Sequence, residues 1–200
     1  MAPSQMGAFA YSSSSHASPN LQFHVQPLSL DKFGDPLHPF PAVTISVCNL
    51  RPSSRGSVHA ATPDPAAAPA IQPNYLSTVD DLNVAVESLR LVRRIASRPA
   101  LAQFSPEEYV PGARYETDAD LMARAGAIAT TIFHPVGTAK MGVASDPTSV
   151  VDARLRVHGL RGLRVVDASV MPFITSGNTA APTMMIAEKG AQMIIEDAER

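Results

Sequence analysis

Apolar and polar residues alternate through "LQFHVQPL" (residues 21–28), with Leu21, Phe23 and Val25 on one side and Gln22, His24 and Gln26 on the other. A period of two predicts a half-buried β-strand. "AVTISVCNL" repeats the alternation through Val43, Ile45 and Val47, and "RPSSRGSVHAA" adds a turn at 52–56 followed by a shorter strand. Together these segments predict an antiparallel sheet. "TPDPAAAPAIQPNYL" holds four prolines and is expected to be extended. The period then changes. In "STVDDLNVAVESLRLVRRIASRP", Leu82, Val86, Leu89 and Ile95 mark a helical stripe. Ser77 with Asp80, or Thr78 with Asp81, has capping spacing; Arg93, Arg94 and Arg98 suit the C-terminal end, and Pro99 closes it. A second helix is expected from Thr117 through "DADLMARAGAIATTIF" up to Pro135. "GLRVVD" reads as a strand, and residues 182–198 as a last helix with Pro182 in its first turn.

Residues 1–20, Ser- and Ala-rich without periodicity, are expected to be loop or frayed end. They hold no Lys or Arg and no long apolar run, so they do not read as a signal peptide. No segment reaches the ~18–20 uninterrupted apolar residues of a membrane span. An apolar fraction of 45% allows a core in 200 residues, and a net charge of −2 argues against nucleic acid as a partner. Cys48 is the sole cysteine. That excludes an internal disulfide and favours a reducing, cytoplasmic setting.

Chemistry concentrates in "FHPVGTAKMG". Pro135 pushes His134 out of helical geometry, and Gly137 lets backbone approach a neighbour closely. The result is an imidazole on a rigid corner, as a general base requires, although a histidine at a helix end alone is more often a cap. Other chemistries fail. "GTAKMGVA" lacks the Lys-Ser/Thr of a phosphate loop, no His or Cys pairing suits zinc, so no metal is expected, and no G-x-S-x-G elbow is present. The second informative stretch is "GLRVVDASVMPFITSGNTAAPTMMIAEKG". Its helix N-terminus would offer unpaired N–H groups to something electron-rich ahead of Pro182.

"FHPVGTAKMG", "VVDARLRVHGLRGLRVVDASVMP" and "SGNTAAPTMMIAEKGAQMI", preceded in order by "RPSSRGSV" and "DPAAAPAIQPNYLS", resemble the C-terminal part of the glucose–methanol–choline flavin oxidoreductases. Choline dehydrogenase-like members are the nearest in wording, and the resemblance runs over roughly residues 20–197. It implies FAD as cofactor, an alcohol as substrate, and oxygen or another electron acceptor. His134 would be the base that takes the hydroxyl proton while hydride passes to flavin N5, and Asn178 would hydrogen-bond the substrate oxygen. Asp167 and Ala168 would lie along the flavin dinucleotide. Thr179 and Ala180 would offer backbone to the pyrimidine edge of the flavin ring.

The implied fold is α+β: an antiparallel-sheet substrate domain with flanking helices over 21–133, then a catalytic loop and the C-terminal strand and helix of an FAD-binding α/β domain over 134–200. Two departures stand out. Many relatives carry Asn where Ala180 stands, so a side-chain amide is missing. No two of the eleven glycines are spaced i, i+2, so the dinucleotide-binding G-x-G-x-x-G is absent from this sequence. The expectation is a C-terminal portion of an enzyme that by itself binds no FAD tightly. A catalytically silent fragment and a cyanohydrin-cleaving lyase of the same family are the alternatives.

Overall fold

The computed structural model describes Ser4, residues 6–32 and residues 34–199. They form an α+β fold of small antiparallel sheets and a few helices, gathered in two compact units. The first unit comprises Met1–Arg55 and Asn74–Thr130; the second comprises Gly56–Pro73 and Thr131–Arg200.

In the first unit, β1 (Met6–Ala10), β2 (Leu21–Gln26) and β3 (Thr44–Asn49) make an antiparallel sheet in the order β1-β2-β3, with Phe23 opposite Ala8 and Val47. β1 corrects the expectation of irregular chain over 1–20. "MGAFA" carries no alternation of its own and becomes a strand by pairing with the edge of β2. β2 keeps Leu21 and Phe23 inside as its period requires, but Gln22 is buried too. The strand is buried on both faces over Leu21–Phe23 and half-buried from His24 to Gln26, as expected for its second half.

Helix α1 (Val79–Ala96) packs on β3 and on α3 (Asp118–Ile128). Its entry matches the second of the two capping pairs: the Thr78 hydroxyl accepts from the Asp81 N–H. The buried stripe differs from the apolar reading. Val86 is inside, yet so are Asp81 and Ser88, whereas Ile95 is exposed. Ser88 is accommodated because its hydroxyl donates to the Val84 carbonyl one turn back. Asp81 is accommodated by a ring of donors: the Ser53 N–H at 2.9 Å, the Ser54 N–H at 2.9 Å, the Asn49 amide at 3.2 Å and the Ser53 hydroxyl at 3.3 Å. Burial works to raise the Asp81 pKa, but those hydrogen bonds outweigh it and hold the carboxyl below its ordinary value.

Pro99 ends α1 as expected and also opens the one-turn helix α2 (Pro99–Ala102), where its missing N–H costs nothing. Arg93 ties α1 to the following loop, with a bidentate bond to Glu108 and a third bond to the Tyr115 carbonyl. Helix α3 starts at Thr117, whose hydroxyl accepts from the Asp120 N–H. It stops at Ala129, well before Pro135. The chain is already extended at Ala129, with ψ of 144°, and the β-branched run Thr130-Thr131-Ile132 follows it outside the helix.

In the second unit, β4 (Ser57–His59) pairs only with β5 (Ala70–Gln72), so it forms its own hairpin instead of joining the larger sheet. The core is Val151, Leu155, Val170, Met171 and Ile186, with Val136, Met141 and Val166 against it. The strand expected at 162–167 is reduced to an isolated bridge between Arg156 and Arg164. A strand persists only with a ladder partner, and the described residues supply one bridge's worth. Helix α4 (Ala180–Ala198) begins at Thr179, so Pro182 sits at its third position. It lies close on the core at Gly190, where an added Cβ would meet Val166 Cγ1 at 2.7 Å and Leu155 Cδ1 at 3.1 Å. Arg154 and Arg164 both pair with Asp197 near its end, anchoring the 152–164 loops to α4.

Candidate functional site

Two segments separated by more than forty residues meet in the second unit. The first is the loop 131–141. Phe133, immediately before the histidine, has φ of 62°, a left-handed conformation that costs a non-glycine residue about 1–3 kcal/mol. Gly137 has φ of 90°, and a Cβ there would sit 3.5 Å from the Met171 carbonyl oxygen. The Ala139 N–H donates to the Ser169 carbonyl at 3.1 Å and the Met141 N–H to the Val170 carbonyl at 2.9 Å. The loop is therefore laced to the single 3-10 turn at Ala168–Val170. Further along, the Lys140 ammonium binds Asp146 at 2.8 Å and also the Thr148 hydroxyl. These contacts, Lys140 first and then Thr148, hold the Asp146 carboxyl well below the usual carboxylate range. That pairing closes the 140–148 loop on itself.

The second segment is "SGNTAAP", in which Ser176 also has a positive φ, 60°. It delivers Asn178 and Thr179 to the histidine. The Asn178 Nδ2 amide lies 2.8 Å from His134 Nε2, and Thr179 Oγ1 lies 2.8 Å from His134 Nδ1. Both ring nitrogens are thus engaged. Thr179 is buried, His134 half-buried and Asn178 exposed, so the group opens on the Asn178 side. Left-handed backbone just ahead of both His134 and Asn178 marks a place where the surroundings impose geometry on the chain.

The other residues singled out from sequence have different surroundings. Asp167 caps the 3-10 turn, its Oδ1 accepting from the N–H and the hydroxyl of Ser169. Ala168 lies within that turn, packed against the core. Their tie to His134 runs through the backbone bonds from Ala139 and Met141. Ala180 is the first residue of α4, exposed, with Thr179 ahead of it making no side-chain cap. Sequence reasoning assigned Thr179 a backbone role and missed its hydroxyl. The available signal was a threonine at a helix start with Pro182 three residues on, where the usual N–H target of a cap is missing. Among the described residues there is no group of three or more His, Cys, Asp or Glu side chains placed to hold a metal. No helix among them is long and apolar enough to cross a membrane.

The arrangement places an imidazole nitrogen, a group able to exchange protons near neutral pH, in direct contact with an amide nitrogen beside a helix N-terminus. The chain is similar to the alcohol dehydrogenase [acceptor] of Pseudomonas putida, 41% identical over 98% of this chain and 35% of that enzyme. It is also similar to the oxygen-dependent choline dehydrogenase of Stenotrophomonas maltophilia (strain R551-3), 41% identical over 95% of this chain and 34% of that protein. Among solved structures, pyridoxine 4-oxidase from Mesorbium loti superimposes with a TM-score of 0.84 at 31% identity, covering 95% of this chain and 37% of that one. The chain spans about a third of the length of the curated relatives it matches. The family model described as GMC oxidoreductase matches residues 52–187, where the histidine loop and the α4 entry both lie, and the chain belongs to that family.

Proposed function

We propose that this chain carries the catalytic histidine end of an FAD-dependent oxidoreductase that oxidises the CH–OH group of an alcohol. The observation that carries this reading is the pairing of His134 Nε2 with the Asn178 amide at 2.8 Å, at the entrance of α4. A substrate hydroxyl would take the place of that direct contact. His134 Nε2 would accept its proton, and the Asn178 amide would donate to the alkoxide-like oxygen as charge develops there. Asn178 cannot take the proton itself, so the roles are not interchangeable.

The residues present fit a flavin. Thr179 makes no side-chain cap and no acidic residue occupies the first turn of α4. The start of the helix therefore retains its positive character for an electron-rich group. Ala180 would lie at the pyrimidine edge of the ring, and the turn carrying Asp167 and Ala168 would lie along the dinucleotide. When bound, FAD would supply the acceptor for the hydride, at flavin N5. The relatives include enzymes named dehydrogenase and oxidase, so the final electron acceptor is outside the proposal.

The decisive experiment uses a full-length enzyme containing this sequence. His134→Ala should slow anaerobic flavin reduction by an alcohol about 10²–10⁴-fold while leaving the flavin absorbance spectrum in place. Reduction at the wild-type rate would sink the assignment of His134 as base. Asn178→Ala should slow the same step about 10²–10³-fold, the scale of losing one oxyanion donor. The 200-residue chain alone, mixed with FAD and desalted, should emerge colourless, because it lacks G-x-G-x-x-G. A retained yellow chromophore at near-equal stoichiometry would overturn that expectation.

A further inference from the structure

We infer that Thr179 is a positioning residue whose hydroxyl oxygen accepts the Nδ1–H of His134 and so selects the ring tautomer that keeps a lone pair on Nε2. The inference rests on the reading of His134 as a base and adds the device that readies it.

The assignment follows from donor and acceptor identities. An amide nitrogen can only donate, and Asn178 Nδ2 is 2.8 Å from His134 Nε2. Nε2 is therefore the acceptor. A neutral imidazole carries one N–H, which must then be on Nδ1, and the atom facing Nδ1 at 2.8 Å is Thr179 Oγ1. A free histidine side chain in water favours the opposite tautomer, with hydrogen on Nε2, so something must hold this one.

Thr179 is suited to hold it. It is 6% exposed, and its carbonyl accepts from both the N–H of Thr183 at 3.0 Å and the hydroxyl of Thr183 at 2.6 Å, which fixes it in the first turn of α4. A threonine starting a helix ordinarily turns its hydroxyl onto the N–H two or three residues ahead, from an extended backbone. Thr179 does neither. Its φ of −90° and ψ of −3° lie in the helical region, and the third position is Pro182, which has no N–H. The hydroxyl is thereby released from capping and turned to the histidine.

The same acceptor serves the ring before and after proton uptake. When Nε2 takes a proton from a hydroxyl, Nδ1 keeps its own and the bond to Thr179 persists. Proton transfer then demands no rearrangement on that side of the ring.

The test is the tautomer itself. The 200-residue chain is labelled with ¹⁵N-histidine, and two-bond ¹H–¹⁵N correlations are recorded in alkaline buffer, with His134→Gln identifying the His134 signals. The expected result is a protonated Nδ1 and a lone-pair Nε2. A wild-type ring protonated on Nε2, with Asn178 turned to present its oxygen, would overturn the inference without any variant. Thr179→Val keeps the shape and removes the acceptor, and should move the ring toward the Nε2-protonated form. Thr179→Ser should restore the wild-type pattern. An unchanged spectrum in Thr179→Val would also overturn it.

In the full-length enzyme, Thr179→Val should slow flavin reduction about 10–100-fold, the scale known for losing the hydrogen-bond partner of a metal-bound histidine, with Thr179→Ser recovering most of the rate. The two readings fail separately. If His134→Ala leaves the rate unchanged, the base assignment falls whatever the tautomer. If His134→Ala is slow but the ring is protonated on Nε2, the role of Thr179 falls and the base assignment stands.

Discussion

At the start of α1, Thr78 lies in extended backbone, its hydroxyl accepts from the Asp81 N–H, and two acids, Asp80 and Asp81, occupy the first turn. At the start of α4, Thr179 lies in helical backbone, its hydroxyl faces His134, and the first turn holds no acid. One helix end is neutralised by its own side chains; the other is left electropositive and uncapped. The α1 arrangement lowers the free energy of the fold. That at α4 forgoes a side-chain cap and leaves the first turn without an acid to offset the helix dipole.

The largest effect should come from breaking the α1 end at Asp81. Removing its carboxylate leaves the N–H groups of Ser53 and Ser54 and the Asn49 amide without their acceptor. Asp81→Ala should cost about 1.5–3 kcal/mol in urea unfolding, the scale of losing hydrogen bonds to a charged group. The acid's pKa also sets a pH signature. Because the folded value lies below the unfolded one, the stabilisation is complete above the ordinary carboxylate range and is lost as pH falls through the folded value. Asp81→Asn should flatten the stability profile on the acid side of about pH 4 relative to wild type. An equally steep acid loss in Asp81→Asn would assign the pH dependence to other carboxylates, such as Asp152 or Asp197, which are also lowered.

A smaller effect is expected at the cap itself. Thr78→Ala should destabilise by about 1 kcal/mol and Thr78→Ser by much less, because a serine hydroxyl restores the cap. Thermal melts of the two variants decide it. Equal melting temperatures would mean that the Asp81 ring alone fixes the start of α1.

The smallest effect would make the two ends alike. Ala181→Asp places an acid in the exposed first turn of α4 and should raise stability by about 0.3–1 kcal/mol. In the full-length enzyme the same change should weaken flavin reduction, since the added charge opposes the electron-rich ring. A variant that is both more stable and fully active would show that the α4 end holds no such group.

The cap at Thr78 was legible in sequence because a threonine three residues before an acid acts within one turn. The stop at Pro99 and the α4 entry were legible for the same local reason. Residues 1–20 were not, since β1 exists only by pairing with β2, and "MGAFA" holds no sign of its partner. The end of α3 was not legible, since Pro135 forbids a helix beyond it but does not fix how far short of it the chain turns extended, here at Ala129. Asp81 was legible as a capping residue but not as a buried hub, because its donors come from residues 49–54.

In the site, the chain's order of residues determined that Pro135 turns His134 out of helical geometry, that Gly137 permits close approach, and that a helix opens near Pro182. Those are short-range consequences of backbone sterics. Only the tertiary structure decided that Asn178 and Thr179 take opposite nitrogens of His134, and hence which nitrogen keeps its lone pair. The reason is geometric. A hydrogen bond is set to tenths of an ångström by packing, and forty-four residues of separation leave no trace of that in the pattern of the chain.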